Sequence, residues 1–196
     1  MFRMQSPCSG RGFTLIELLV VIAIISIISS LVVPSLLEAR RRAQITQCAS
    51  GLKQIYAFAM SYSDKLGSGH FPFGADKEPR AHESLNQLLE YDAEALDPSL
   101  FVCPSSDAAA AKKDAGGSYT LAEENLGYAW VARRLKNTAV NKPLASCKYV
   151  DGYTDEDGEH AGHRGGMNVL MTDGSVRFVP VSELDPETLL PVGLTR

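Results

Sequence analysis

RGFTLIELLVVIAIISIISSLVVP, residues 11–34, decides the fold. From Phe13 to Leu37 the chain carries one charge, Glu17, in a run dominated by Leu, Val, Ile and Ala. At a rise of about 1.5 Å per residue, roughly 20 residues cross the hydrocarbon core of a bilayer, so the run is long enough to span. A secretory signal has a shorter apolar core, about 7–15 residues, ending in a small-x-small cleavage site. Here the core is longer, and Pro34, Ser35, Glu38 and Arg40, Arg41 and Arg42 follow it. An ordinary anchor fits the length but not the carboxylate, since an acidic side chain at membrane depth is costly without a partner.

The flanking residues supply a reason. Arg11 and Gly12 precede Phe13, and the stretch reads GFTLIEL. It resembles a class III, or type IV prepilin, signal. The resemblance implies that a membrane prepilin peptidase cuts between Gly12 and Phe13 and methylates the new amino group of Phe13. Glu17 is then the fifth residue of the mature chain, where this family carries its glutamate. Pro34 falls where type IV pilins commonly have a helix-kinking proline. The carboxylate of Glu17 and a free α-ammonium stabilise each other far more in a low dielectric than in water. The sequence leaves open whether that ammonium belongs to a neighbouring subunit, which would set an axial register in a filament, or to the same chain. Arg3 and Arg11 fit a cytoplasmic leader by the positive-inside rule; Arg40, Arg41 and Arg42 lie on the wrong side for that rule and are read as interfacial anchors that a cleaved pilin helix tolerates.

The helical pattern continues past the membrane run. Ile45, Cys48, Leu52, Ile55, Ala59 and Tyr62 recur at spacings of three and four, one apolar stripe on a helix. Arg41, Gln44, Gln47, Lys53, Gln54 and Ser61 occupy much of the rest. One helix is expected from about 14 to about 65, kinked near Pro34, weakened at Gly51, and ending before Gly67. In the remainder, residues 83–91 read as a short amphipathic helix with Leu85, Leu88 and Leu89 on one side. LFVCPSS (100–106) reads as a strand running into a proline turn. Residues 128–131 and 147–150 read as further short strands.

MNVLMTDGSVRFVPV (167–181) alternates at period two around Asp173-Gly174, a two-residue type I′ hairpin signal. Val176 and Phe178 are expected to face the long helix, with Ser175 and Arg177 toward solvent. His163, nine residues and then Asp173-Gly174 resemble the H-x9-DG motif of a large bacterial group of prepilin-like proteins. CASGLKQI (48–55), FVCPSS and SYTLAEEN resemble that group's other short motifs, with Gly51 in place of the usual Asn. A His163–Asp173 catalytic pair is not expected, because strand residues recede from a turn at about 3.3 Å each. His163 is read as shaping the approach to the hairpin, and Asp173 as making the turn.

The remaining chemistry is sparse. Cys8, Cys48, Cys103 and Cys147 are scattered with no CxxC pair, which argues against a structural zinc site. The three outside the leader allow at most one disulfide and leave one thiol over. DGYTDEDGEHAGH (151–163) concentrates acidic residues and reads first as a solvated acidic loop; Asp155, Asp157 and Glu159 are candidate Ca2+ ligands in an incomplete EF-hand-like pattern, and a transition metal on His160 and His163 is a further alternative. The resemblance brings in one parallel, since major pseudopilins of type II secretion systems bind calcium in a C-terminal loop. No other cofactor is expected. There is no GxSxG, HExxH or P-loop, so no enzyme is expected. A net charge of −4 over 196 residues lacks the basic footprint of a nucleic-acid binder.

The expected fold is α+β, with a long N-terminal α-helix, half transmembrane and half amphipathic, packed on a small antiparallel sheet. The expected segments are a leader (1–12), a membrane half (13–37), an amphipathic half (38–66) and an extracytoplasmic head (67–196). The resemblance implies a single-pass protein of the bacterial inner membrane with its head in the periplasm. It implies a pseudopilin of a type II-like secretion filament, with prepilin peptidase, other pilin-like subunits, an inner-membrane assembly platform and the bilayer as partners. The alternatives are a minor pilin or a surface adhesin whose contacts include Trp130 and Tyr153, and a solitary anchor, which would gain nothing from Glu17.

Overall fold

The computed structural model describes residues 14–66, 69–74, 80–92, 94–106, 108–131, 134–147, 163, 165–183 and 194–195. Two compact units divide the chain, Met1–Arg40 and Arg41–Arg196. Helix α1, Leu15–Lys65, contributes to both.

In the first unit every described residue of α1 is exposed, and the segment is long and apolar enough to cross a membrane. Three of its hydroxyls are satisfied within the helix. Ser26, Ser30 and Ser35 donate to the carbonyls of Ile22 (2.7 Å), Ile27 (2.7 Å) and Val32 (2.8 Å), which keeps polar groups paired where lipid offers no partner. Pro34 lies inside the helix and has no N–H for the carbonyl four residues back.

In the second unit α1 buries Cys48, Leu52, Ile55, Ala59 and Ser63, a stripe set by the helical period. Tyr62, expected in that stripe, is half-buried, and its hydroxyl donates to Gln87 Oε1 at 2.7 Å. Helix α2, Ala81–Tyr91, buries Leu85, Leu88 and Leu89 and begins two residues earlier than the pattern suggested. Glu83 accepts from the backbone of Arg80 (3.2 Å), fixing that start. Asn86 clamps α2 to the chain at Leu121, accepting from its N–H (2.7 Å) and donating to its carbonyl (3.0 Å).

The sheet is antiparallel, ordered β4-β3-β2-β1-β5: β1 is Tyr128–Val131, β2 Pro143–Cys147, β3 Gly166–Met171, β4 Val176–Pro180 and β5 Leu194–Thr195. The four residues of β1 are all buried, as a continuous apolar strand next to a sheet centre should be. Trp130, offered above as an adhesive contact, is fully buried, and its indole donates to the Pro72 carbonyl at 2.8 Å. Tyr153 lies outside the described residues.

Several expectations need correction. LFVCPSS is not a strand: Pro98–Phe101 is a 3-10 turn opened by Asp97, which accepts from Ser99 N–H (2.8 Å), with a second turn at Pro104 and Ser105. The second short strand, Pro143–Cys147, includes four residues that were not expected in it, and of the expected 147–150 segment only Cys147 lies among the described residues. The hairpin turn is not type I′. Gly174 donates to Met171 O (3.0 Å) and Met171 N–H to Ser175 O (2.8 Å), so the loop holds three residues. Gly174 takes φ +79 while Asp173 is not among the positive-φ residues, the pattern of a type I turn closed by a left-handed glycine. Phe178 pairs with Asn168, whose side chain bonds to Ile45 O of α1, so it lies on the helix side of the sheet as expected. It is nonetheless 44% exposed, whereas Val176 and Val179 pack against the core.

Candidate functional site: an exposed assembly helix and a buried thiol–imidazole cluster

The start of α1 is a reciprocal cap. Glu17 Oε2 accepts from the backbone N–H (2.9 Å) and hydroxyl (2.8 Å) of Thr14, and the Thr14 hydroxyl accepts from Glu17 N–H (3.3 Å). Thr-x-x-Glu is the capping-box pattern, satisfying amides that the helix itself cannot. A solitary helix therefore does gain something from Glu17, contrary to the expectation above. Gly12 and Phe13 lie outside the described residues.

The second feature lies in the core of the head. Cys48, Cys103, Cys147 and His163 are all buried, and their four ligand atoms lie within 4.8 Å of one another. The scatter along the sequence, read above as evidence against a metal site, does not survive folding. The Cys48 and Cys147 sulfurs are 2.7 Å apart although 99 residues separate them. Cys103 Sγ and His163 Nε2 are 3.8 Å apart across 60 residues. None of these three cysteines is disulfide-bonded.

Each member is held by its own element. Cys48 begins the buried stripe of α1, and Cys147 ends β2 opposite Tyr128 of β1. Cys103 follows the 3-10 turn. Its carbonyl accepts from Ser106 N–H (2.9 Å) and Oγ (2.8 Å), and its sulfur meets Ser105 Oγ at 3.2 Å. Gly127 allows the approach, since a Cβ there would sit 2.2 Å from Cys103 N. His163 exchanges both backbone hydrogen bonds with Gly166 (3.1 Å each), and Gly165 takes φ +81. Gly166 admits the ring of Phe178 and the carbonyl of Val179, which a Cβ would meet at 2.7 and 2.3 Å.

Polar groups surround the sulfurs. Asn168 donates to Ile45 O (2.8 Å) and also reaches Cys48. The Tyr128 phenol reaches Cys48 too, and a Cβ at Gly51 would lie 2.9 Å from its oxygen. The glycine that looked like a weak point in the helix thus makes room for Tyr128. The thiols are not equivalent. Cys103 is pulled well below the ordinary thiol range, first by the hydrogen bond from Cys147 and then by that from Cys48. Donating to Cys103 pushes Cys48 up to about 12, and burial pushes Cys147 up.

The two ends of the H-x9-DG pattern both meet α1. His163 joins Cys48 at one end of β3. At the other, Tyr56 donates to Thr172 O (3.1 Å), and its ring lies where a Cβ on Gly174 would fall, 2.7 Å away. Asp173 points away from the cluster's chemistry. It is exposed, accepts from Ser175 N–H (2.9 Å) and Oγ (2.6 Å), and its carboxyl is held below the usual range by those bonds. The candidate calcium ligands Asp155, Asp157 and Glu159 lie outside the described residues.

Residues 9–33 match the prokaryotic N-terminal methylation motif. Residues 106–187 match a family described as a protein of unknown function, DUF1559. The chain is 46% identical over 54 residues to the type IV wide pilus major component PilA4 of Thermus thermophilus, covering 28% of this chain and 41% of that one. It is 36% identical over 53 residues to the type IV major pilin protein PilA of Myxococcus xanthus, 27% and 24% of the two chains. It is 36% identical over 69 residues to the type II secretion system core protein G of Escherichia coli, 35% and 46% of the two. The chain therefore spans less than half the length of each of these relatives. No solved structure matches it. The chain thus carries a prepilin-type N-terminus on a pilin-like architecture of one long helix and a small antiparallel sheet.

Proposed function

We propose that this chain is a prepilin-like structural subunit of a short periplasmic filament serving type II-like protein secretion. Prepilin peptidase cuts between Gly12 and Phe13 and methylates Phe13. The apolar half of α1 then holds the subunit in the inner membrane until an assembly platform extrudes it with other pilin-like subunits. The observation that carries the reading is the methylation motif at 9–33 leading into a fully exposed apolar helix. In water so large an apolar surface has no stable place. In a bilayer, or among like helices in a filament, it is buried.

Two of the relatives are named for pili and one for secretion, so a pilus subunit is the second reading. Deleting the gene separates the two. On the secretion reading, proteins normally released into the medium accumulate in the periplasm and surface fibres are unchanged. Loss of surface fibres with normal secretion would replace it with the pilus reading. No change in either, with the chain missing from sheared filament fractions, would contradict both.

A further inference from the structure

We propose that Cys48, Cys103, Cys147 and His163 bind one Zn2+ in a closed, tetrahedral, structural site. The proposal does not depend on the filament reading. Three thiolates and an imidazole form one of the ligand sets of structural zinc, and soft sulfur donors around a tetrahedron select such a metal over Ca2+ or Mg2+.

The distances suit it. Zn–S of about 2.3 Å and Zn–N of about 2.0–2.1 Å put ligand atoms roughly 3.5–3.8 Å apart in a tetrahedron. Cys103 and His163 already stand at 3.8 Å, and all four atoms lie within 4.8 Å of one another. The Cys48–Cys147 pair, at 2.7 Å, must open, by about 1 Å. The four side chains are at most 5% exposed, so the protein fills every coordination position and leaves none for substrate.

A Cys48–Cys147 disulfide is the rival. A sulfur–sulfur bond is about 2.03–2.05 Å, and the pair stands at 2.7 Å. A disulfide would also use two thiols and leave Cys103 and His163 buried against each other, whereas zinc accounts for all four groups. The donors around the sulfurs, Ser105, Asn168 and Tyr128, are what a metal thiolate needs from its surroundings. On binding, neutral imidazole and three thiols take up Zn2+, and the thiol protons pass to solvent. The ion would tie α1, the Cys103 turn, β2 and the lead-in to β3 at one point, so a load on the helix reaches the sheet through metal bonds as well as through packing.

The test is the zinc content of the full chain, extracted in detergent from zinc-replete cells, measured beside the mass of the alkylated, unreduced, denatured chain. About one zinc per chain and no disulfide are expected. His163→Ala should lower the zinc content several-fold, and His163→Cys, which restores a fourth ligand, should retain it. Should His163→Ala fail to fold, the wild-type chain decides. A strong chelator should lower its unfolding temperature, and added Zn2+ should restore it. A metal-free chain with a Cys48–Cys147 disulfide would overturn the proposal. So would a chain with free thiols whose unfolding responds to neither chelator nor zinc.

Discussion

Glu17→Ala is expected to leave the chain in the membrane but remove it from filaments. The carboxylate is exposed on an apolar helix, and among the described residues of its unit Thr14 is the partner seen for it. On the proposed mechanism its counterpart is the ammonium created by cleavage at Phe13. At an effective dielectric of 20 two such charges attract about four times more strongly than in water, so incorporation should fall on the order of a hundredfold or more. The alanine variant also loses the cap on Thr14, and Glu17→Gln separates the two effects. Glutamine can still accept from Thr14 and keep the helix start, but it carries no charge. If charge sets the register, the glutamine variant is as defective as alanine when sheared filaments are blotted for the chain. If glutamine restores incorporation, the residue serves only as a cap and the register idea fails.

Trp130→Ala is expected to destabilise the head strongly. The indole is fully buried on β1 and donates to the Pro72 carbonyl. Emptying such a site costs about 3–5 kcal/mol, a large part of the 5–15 kcal/mol typical of a domain. For a domain of this size that corresponds to a fall of about 6–20 °C in unfolding temperature, read by thermal circular dichroism. Trp130→Phe keeps most of the volume but leaves the Pro72 carbonyl unpaired, so it should cost roughly 1–3 kcal/mol. An adhesive Trp130 would predict the reverse, with stability unchanged and surface binding lost.

These two residues show where the sequence could be read and where it could not. The long helix was legible because its signals are local: an unbroken apolar run, then a stripe at helical spacing from Cys48 to Ala59. The hairpin was legible in place but not in detail. Asp-Gly announces a turn, yet the choice between two and three loop residues rests on whether Asp173 takes positive φ, and its carboxylate bonds to Ser175 favour the longer loop. Phe178 misled because period two names a face without saying what covers it. Its ring lies beside Gly166 on an edge strand and stays 44% exposed. The same blindness to tertiary approach made Gly51 look like a flaw and Trp130 look available.

The thiol cluster was the largest omission. Close-spaced CxxC pairs betray zinc because two ligands come from one turn. Here each ligand comes from a different element, and the pairs Cys103–His163 and Cys48–Cys147 are 60 and 99 residues apart. The faint signal was positional: Cys48 falls on the buried stripe, and Cys103 and Cys147 sit in apolar runs. His163 begins a glycine-rich approach to a strand, and its imidazole is one of the few buried polar groups among the described residues.

Intact-mass spectrometry of the membrane-extracted protein, from cells with and without prepilin peptidase, shows whether the chain travels the prepilin route. A chain beginning at N-methylated Phe13 is expected when the peptidase is present, and an uncut leader when it is absent. A chain that keeps Met1 in both, or one cut beyond Pro34, would contradict that route.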